Sequence, residues 1–243
     1  IFNAQGDMTI ANSRFVGNRA DNWGGAIFTT NGIVTISNTT FLLNNVSADY
    51  GSDGGAIANG SWAESGSTIN IVDSNFSLNV APLTGGAIFS NTGVVTVETS
   101  FLGSNVANVG AAIGTRQDPT LTSQVNVLGS TLTNNIARYS GGGLYMLQNL
   151  SMTGSTLNGN RARQFGGAIY LTQDVRADII GNTFSANRAG RDGGAIFNDV
   201  LTFTIRNSTF TGNRADRGGG LFNSRYTPSN STRLISNSTF SGN

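Results

Sequence analysis

Cysteine, histidine and lysine are all missing from these 243 residues, and every one of the fourteen basic side chains is arginine. Thiolate, imidazole and amine chemistry are therefore excluded, together with disulfides and with metal sites of the Cys or His type. Proline occurs three times. Charged residues make up 11% of the chain, against roughly 25% in an average globular protein. Such a low charge, combined with regular Val, Ile and Phe, argues against disorder because there is apolar surface to bury. No run of eighteen apolar residues offers a membrane-spanning helix, so no membrane insertion is expected. A net charge of +1 gives no overall basic footprint for nucleic acid.

What is abundant is glycine, with 33 copies, and it recurs in phrase. Phe or Leu, two residues and Asn appear at Phe15, Phe41, Phe76, Leu132, Leu157, Phe184, Phe210 and Phe240, and Phe101 joins the series with Ser104 in the Asn place. A Gly-Gly-Ala-Ile phrase or close variant begins at Gly24, Gly54, Gly85, Gly110, Gly141, Gly166, Gly193 and Gly218. Counted from Phe101, six of these eight start nine residues after the aromatic or Leu. A third phrase of strict alternation, such as Val34-Thr35-Ile36, precedes each Phe or Leu, and period two marks a half-buried strand. Gly-Gly pairs and β-branched residues rule out a helical repeat, since each Gly costs about 1 kcal/mol in a helix interior.

A repeat of this length that tolerates inserts between strands reads as a stacked solenoid. The expected fold is all-β: one domain over 1–243, a right-handed single-stranded parallel β-helix of about eight to nine rungs. Stacking turns each alignment column into a ladder. Ile27, Ile57, Ile88, Ile113, Leu144, Ile169, Ile196 and Leu221 should point inward, as should Ile10, Ile36, Ile71, Val127, Met152, Ile179, Ile205 and Ile235, together with the Phe15, Phe41, Phe76 and Phe101 ladder. The Asn column is expected to be an internal amide ladder. Ile1-Phe2-Asn3 reads as the tail of a Gly-Gly-Ala-Ile-Phe-Asn phrase. The chain is therefore expected to be an uncapped segment of a longer solenoid or a subunit that self-associates end to end or laterally.

The pairing of Gly-Gly-Ala-Ile with Phe-x-x-Asn resembles the repeat of the chlamydial polymorphic outer membrane proteins and related bacterial surface β-helices. That resemblance implies an extracellular or cell-surface bacterial location and a non-enzymatic structural or adhesive role, with a polysaccharide or cell-surface ligand as partner. The alternative is a carbohydrate-active β-helix enzyme of the lyase kind, and its best acid pair is Asp73 with Glu98, placed three before the Phe on neighbouring rungs. No catalytic residue, metal ligand or cofactor is assigned.

Binding candidates fall into two groups. Phe28, Phe89, Tyr145, Tyr170, Phe197 and Phe222 each follow the inward aliphatic residue, and alternation sends them outward as an aromatic stripe, unless the strand tucks the rings against a corner. Inserts after the Gly-Gly-Ala-Ile strands, carrying Trp62, Arg116, Arg225 and Tyr226, project from one edge. Two charge patterns accompany them. Arg161, Arg188 and Arg214 share a column, giving a short basic stripe, and stacking sets Arg191 by Asp216 and Asp192 by Arg217 as exposed crossed ion pairs. Ice binding would need a flat Thr array, and the mixed outward column Thr9, Thr35, Asn70, Asn126, Ser151, Asp178, Thr204 does not supply one.

Overall fold

The computed structural model describes residues 1–47, 51–60, 67–116, 123–172, 175–200, 202–224 and 232–243. Three parallel sheets, each of nine strands, run the length of the molecule, and no helix occurs among the described residues. The chain is a parallel β-solenoid. Sheet 1 runs from Phe2–Asn3 to Leu221–Asn223 and carries the Gly-Gly-Ala-Ile strands; sheet 2 runs from Met8–Ala11 to Thr232–Ser236; sheet 3 runs from Arg14–Val16 to Thr239–Ser241. A short fourth sheet, Val106–Val109, Ile136–Ser140, Arg161–Ala162 and Arg188–Ala189, follows the Asn corner. Each strand pairs with its counterpart one coil away, so Ile57 lies between Ile27 and Ile88, and Ile71 between Ile36 and Val97.

Inward columns from all three sheets form the core. Ile27, Ile57, Ile88, Ile113, Leu144, Ile169 and Ile196 are fully buried, as are Ile36, Ile71, Val97, Val127, Met152, Ile179 and Ile205. In sheet 3 the phenyl rings stack face to face, with centroids 4.5 Å apart for Phe41 and Phe76 and 4.4 Å for Phe210 and Phe240. No coil buries these side chains alone, so stability resides in contacts between neighbouring coils.

One column departs from the sequence reading. Leu102, not Phe101, pairs with Phe76 and Leu132 and is fully buried, while Phe101 is 38% exposed. Asn105 accordingly takes the Asn position, and Ser104 is the corner residue with φ 55°. A slip of one residue sends every side chain to the other face, and the buried Asn decides the phase. Leu102 then stands eight residues before Gly110, one short of the usual spacing.

The corners are tied by two polar ladders. Asn44, Asn79, Asn105, Asn135, Asn160, Asn187 and Asn213 are buried. Each Oδ1 accepts both the backbone N–H and the side-chain N–H of the preceding Asn, as from Asn160 to Asn187 at 3.0 and 3.1 Å. Each Nδ2 also donates to a carbonyl in sheet 3, as Asn160 does to Leu132 at 2.9 Å. The second ladder, at the corner between sheets 2 and 3, runs through Thr39, Ser74, Ser100, Ser130, Ser155, Asn182, Ser208 and Ser238, each accepting a backbone N–H from the coil before. Polar groups at a bend are thereby satisfied without water.

Gly-Gly is a steric requirement in most coils, although Ala111 takes the second place after Gly110. At Gly166 φ is +62° and an added Cβ would lie 2.2 Å from the Ile169 carbonyl oxygen; at Gly167 it would lie 2.1 Å from the Gly194 oxygen of the next coil. The first glycine makes the bend. The second lets adjoining coils approach.

Candidate functional site

After the two-residue first strand, sheet 1 strands are three residues long, with the first and third side chains inward and the second outward. The outward column is Phe2, Phe28, Ala58, Phe89, Gly114, Tyr145, Tyr170, Phe197 and Phe222. Ala58 and Gly114 interrupt it, leaving a continuous run of four rings from Tyr145 to Phe222. Their planes are nearly parallel: centroids are 5.0 Å apart for Tyr145 and Tyr170, 4.9 Å for Tyr170 and Phe197 and 5.5 Å for Phe197 and Phe222. Ring faces are therefore used between coils, and ring edges, which carry the positive end of the quadrupole, face outward.

The stripe is covered unevenly. Phe89 and Phe197 are buried, whereas Phe28, Tyr145, Tyr170 and Phe222 are half-buried. What covers them is a second column, the residue immediately before each Gly-Gly: Trp23, Asp53, Thr84, Val109, Ser140, Phe165, Asp192 and Arg217. Trp23 packs on Phe28, and Phe165 tilts against both Tyr170 and Phe197. Arginines then lie over rings, Arg116 on Phe89 at 5.5 Å, Arg191 on Phe165 at 5.4 Å and Arg217 on Phe222 at 5.0 Å, each a cation–π contact.

The expected crossed ion pairs resolve differently from each other. Arg217 grips Asp192 with two hydrogen bonds of 2.6 and 2.8 Å, and the carboxylate is buried rather than exposed. Arg191 goes to Phe165 instead, and no ion pair joins it to Asp216 among the described residues.

Between the two columns lies an open groove of about 500 Å³ over Phe165, Tyr170, Phe197 and Phe222, edged by Arg191, Arg217 and Asp199; that volume falls within the range of small-molecule sites. Burial, helped by the fields of Tyr145 and Asp199, raises the Tyr170 phenol to about 12, so it stays a neutral O–H donor. Asp199 Oδ1 is shielded from solvent and has no hydrogen-bond partner among the described residues.

Farther along the same edge, Arg116 reaches back to Asp53, 3.2 Å from Oδ2. Asp53 is fully buried, and its Oδ1 accepts the Thr84 N–H at 3.0 Å. Burial raises its carboxyl above the ordinary value, against the downward pull of Arg116 and Thr84. Arg116 is thus held under the edge rather than projecting from it. Trp62, Arg225 and Tyr226 lie outside the described residues.

The acid pair does not form. Glu98 stands beside Val72, and Asp73 faces Thr99, whose hydroxyl donates to its carboxylate at 2.5 Å. This is the same one-residue slip that displaced Phe101. Asp73 has φ 48° at the corner between sheets 2 and 3, the left-handed position that Asn, Asp and Gly tolerate best. Its role there is a bend. No group of three or more possible metal-ligating side chains occurs among the described residues.

Residues 12–30, 154–172 and 183–199 match the model of the Chlamydia polymorphic membrane protein repeat. The chain carries that repeat. Each match spans the stretch from a sheet 3 strand through the Asn corner and the Gly-Gly bend to the end of a sheet 1 strand. Of the groove residues, Phe165, Tyr170, Arg191, Phe197 and Asp199 fall inside matched segments, and Arg217 and Phe222 lie outside them. No curated protein and no solved structure matches the chain. Apart from Asp192 and Arg217, the column before Gly-Gly was missed by sequence reasoning, although its position is as regular as the glycines themselves. Its residue types, from Trp to Asp to Arg, share no chemistry that would flag them.

Proposed function

We propose that this chain acts outside the bacterial cell as a non-catalytic, adhesive length of solenoid, and that it holds its ligand in the groove beside Tyr170, Phe197 and Phe222. The ligand class is saccharide. The observation that carries this reading is the groove's lining, where the half-buried Asp199 carboxylate, the Tyr170 hydroxyl and the Arg191 guanidinium edge a wall of stacked rings. A sugar hydroxyl donates to the first and accepts from the others. The repeat, named for membrane proteins of Chlamydia, supports surface display, and a rigid rod of stacked coils suits presentation of a site away from the cell.

The test is binding of the purified chain to a panel of immobilised oligosaccharides, alongside Asp199→Ala and Phe222→Ala. A sugar bound by wild type and lost at least about tenfold in Asp199→Ala supports the groove, since a hydrogen bond to a charged group is worth roughly 1.5–3 kcal/mol. Equal binding by both variants overturns it. Release of unsaturated or reducing sugars from pectin-like polymers by wild type refutes the non-catalytic reading.

A further inference from the structure

The coil segment just after the Asn ladder alternates strictly. Asn160, Asn187 and Asn213 point in; Arg161, Arg188 and Arg214 point out; Ala162 and Ala189 point in again. Strand pairing puts Arg161 beside Arg188 and Arg188 beside Arg214, so three guanidiniums leave the surface in one line at the strand spacing of about 4.8 Å. Arg138 and Arg163 lie two residues on in their own coils, also exposed. The ion pairs among the described residues are Arg116–Asp53, Arg176–Asp178 and Arg217–Asp192, so none of these five arginines is neutralised by a carboxylate. Asp216 is the nearby exposed acid, two residues past Arg214. Like charges placed directly opposite across paired strands oppose folding, and here three stand in succession in a chain whose net charge is only +1.

A shallow trough accompanies the line, lined by Ile136, Ala137, Arg161, Ala162, Arg163 and Arg188. We propose that this trough and the arginine line that continues past it to Arg214 bind a linear anionic polysaccharide, its sulfates or carboxylates taken one after another by Arg161, Arg188 and Arg214. Guanidinium forks match planar carboxylate and sulfate oxygens in pairs. The periodicity matters as much as the sign, because a straight ladder of fixed charges complements a polymer with regularly spaced anions. The floor argues against single-stranded nucleic acid, which asks for aromatic platforms on which bases stack, whereas Ala137 and Ala162 are small. This site is on a different face from the groove and does not depend on it.

The experiment measures binding by titration calorimetry of a heparin-derived oligosaccharide, a polygalacturonate oligosaccharide, neutral dextran, a single-stranded oligonucleotide and vesicles containing anionic phospholipid. The double variant Arg161→Gln/Arg188→Gln is compared with Arg19→Gln, whose arginine occupies the same column but pairs with Asn45 rather than with another arginine. Expected is binding of one or both acidic oligosaccharides that weakens with added salt, falls about tenfold or more in the double variant and is unchanged in Arg19→Gln. Sulfate and uronate arms separate the two sources of anion. The proposal is overturned if dextran binds as well as the acidic sugars, if oligonucleotide or vesicles bind more tightly, or if the double variant, with an unchanged melting curve, binds like wild type. A double variant that melts early shifts the decision to the wild-type salt titration, where salt-independent binding overturns the idea.

Discussion

Replacing Asn160 with alanine removes four side-chain hydrogen bonds at the middle of the amide ladder. Asn160 Nδ2 donates to Leu132 and to Asn187, and its Oδ1 accepts the backbone and side-chain N–H groups of Asn135, all at 2.9–3.1 Å. The Asn187 oxygen keeps one donor, the Asn160 backbone N–H. Asn135 fares worse, since two of its buried donors lose their acceptor together. At roughly 1–3 kcal/mol for each buried donor left unsatisfied, the loss is about 2–6 kcal/mol. Asn18→Ala supplies the internal contrast: Asn18 is exposed, its side chain donates once, to Asn44, and water replaces that bond, so its cost stays below about 1.5 kcal/mol. Because coils interact with nearest neighbours, unfolding need not be two-state. Hydrogen exchange read by mass spectrometry on peptides around Asn135 and Asn187 is therefore the assay, supported by urea denaturation. Asn160→Asp sharpens it, keeping the acceptor for Asn135 but setting an oxygen against the Leu132 and Asn187 oxygens; it should be worse than alanine at neutral pH and recover in acid, where the carboxyl can donate. If Asn160→Ala exchanges and melts like Asn18→Ala, the ladder is not what holds this corner.

Two titrations follow from the outer edge. Burial raises the Asp53 carboxyl in the folded chain, so its contribution to stability is fullest below the unfolded value of about 3.9 and declines as pH rises through the higher folded value. Arg116→Gln removes the opposing attraction, and urea midpoints should fall more at pH near 7 than near 4; equal losses at both would show that the Arg116 contact is not electrostatic. Tyr170, raised to about 12, favours folding below an unfolded value of about 10 and loses that contribution as pH climbs from about 10 to about 12. Tyr170→Phe should flatten alkaline unfolding over that interval, with tyrosinate absorbance showing the late-titrating phenol gone.

The inward columns were legible because a solenoid repeats its constraint: every coil must offer an aliphatic residue after Gly-Gly-Ala and an Asn three after the sheet 3 ring. Where two large apolar residues are adjacent, as at Phe101-Leu102, composition prefers the aromatic and is wrong. The signal that settles it is Asn105, since a buried amide cannot move from the ladder. The Asp73 and Glu98 pairing failed for the same reason. At Asp192 and Arg217 the register was right and the environment was not: a carboxylate in the column before Gly-Gly is tucked under the edge, which shifts it from a surface pair to a buried bidentate one. The aromatic stripe was legible as a column, but which ring faces remain open depends on Phe165, Arg191 and Arg217, side chains from another column that no spacing rule links to the rings.

The same lattice explains why chemistry collects on the outside. Inward positions are fixed by packing and by the two polar ladders, so a change there disturbs the coils above and below. Outward positions touch only other outward side chains, in their own column and the next, and there the sequence varies from ring to glycine and from arginine to valine without breaking strand pairing. Arg188, Gly190, Arg191 and Asp192 lie in one short connection between Asn187 and the Gly193 bend. That connection serves both faces, Arg188 belonging to the arginine line and Arg191 to the groove, and neither side chain contributes to the core. Selection can alter either surface one column at a time while the inward Asn and Ile ladders hold the register that gives each surface its regular spacing.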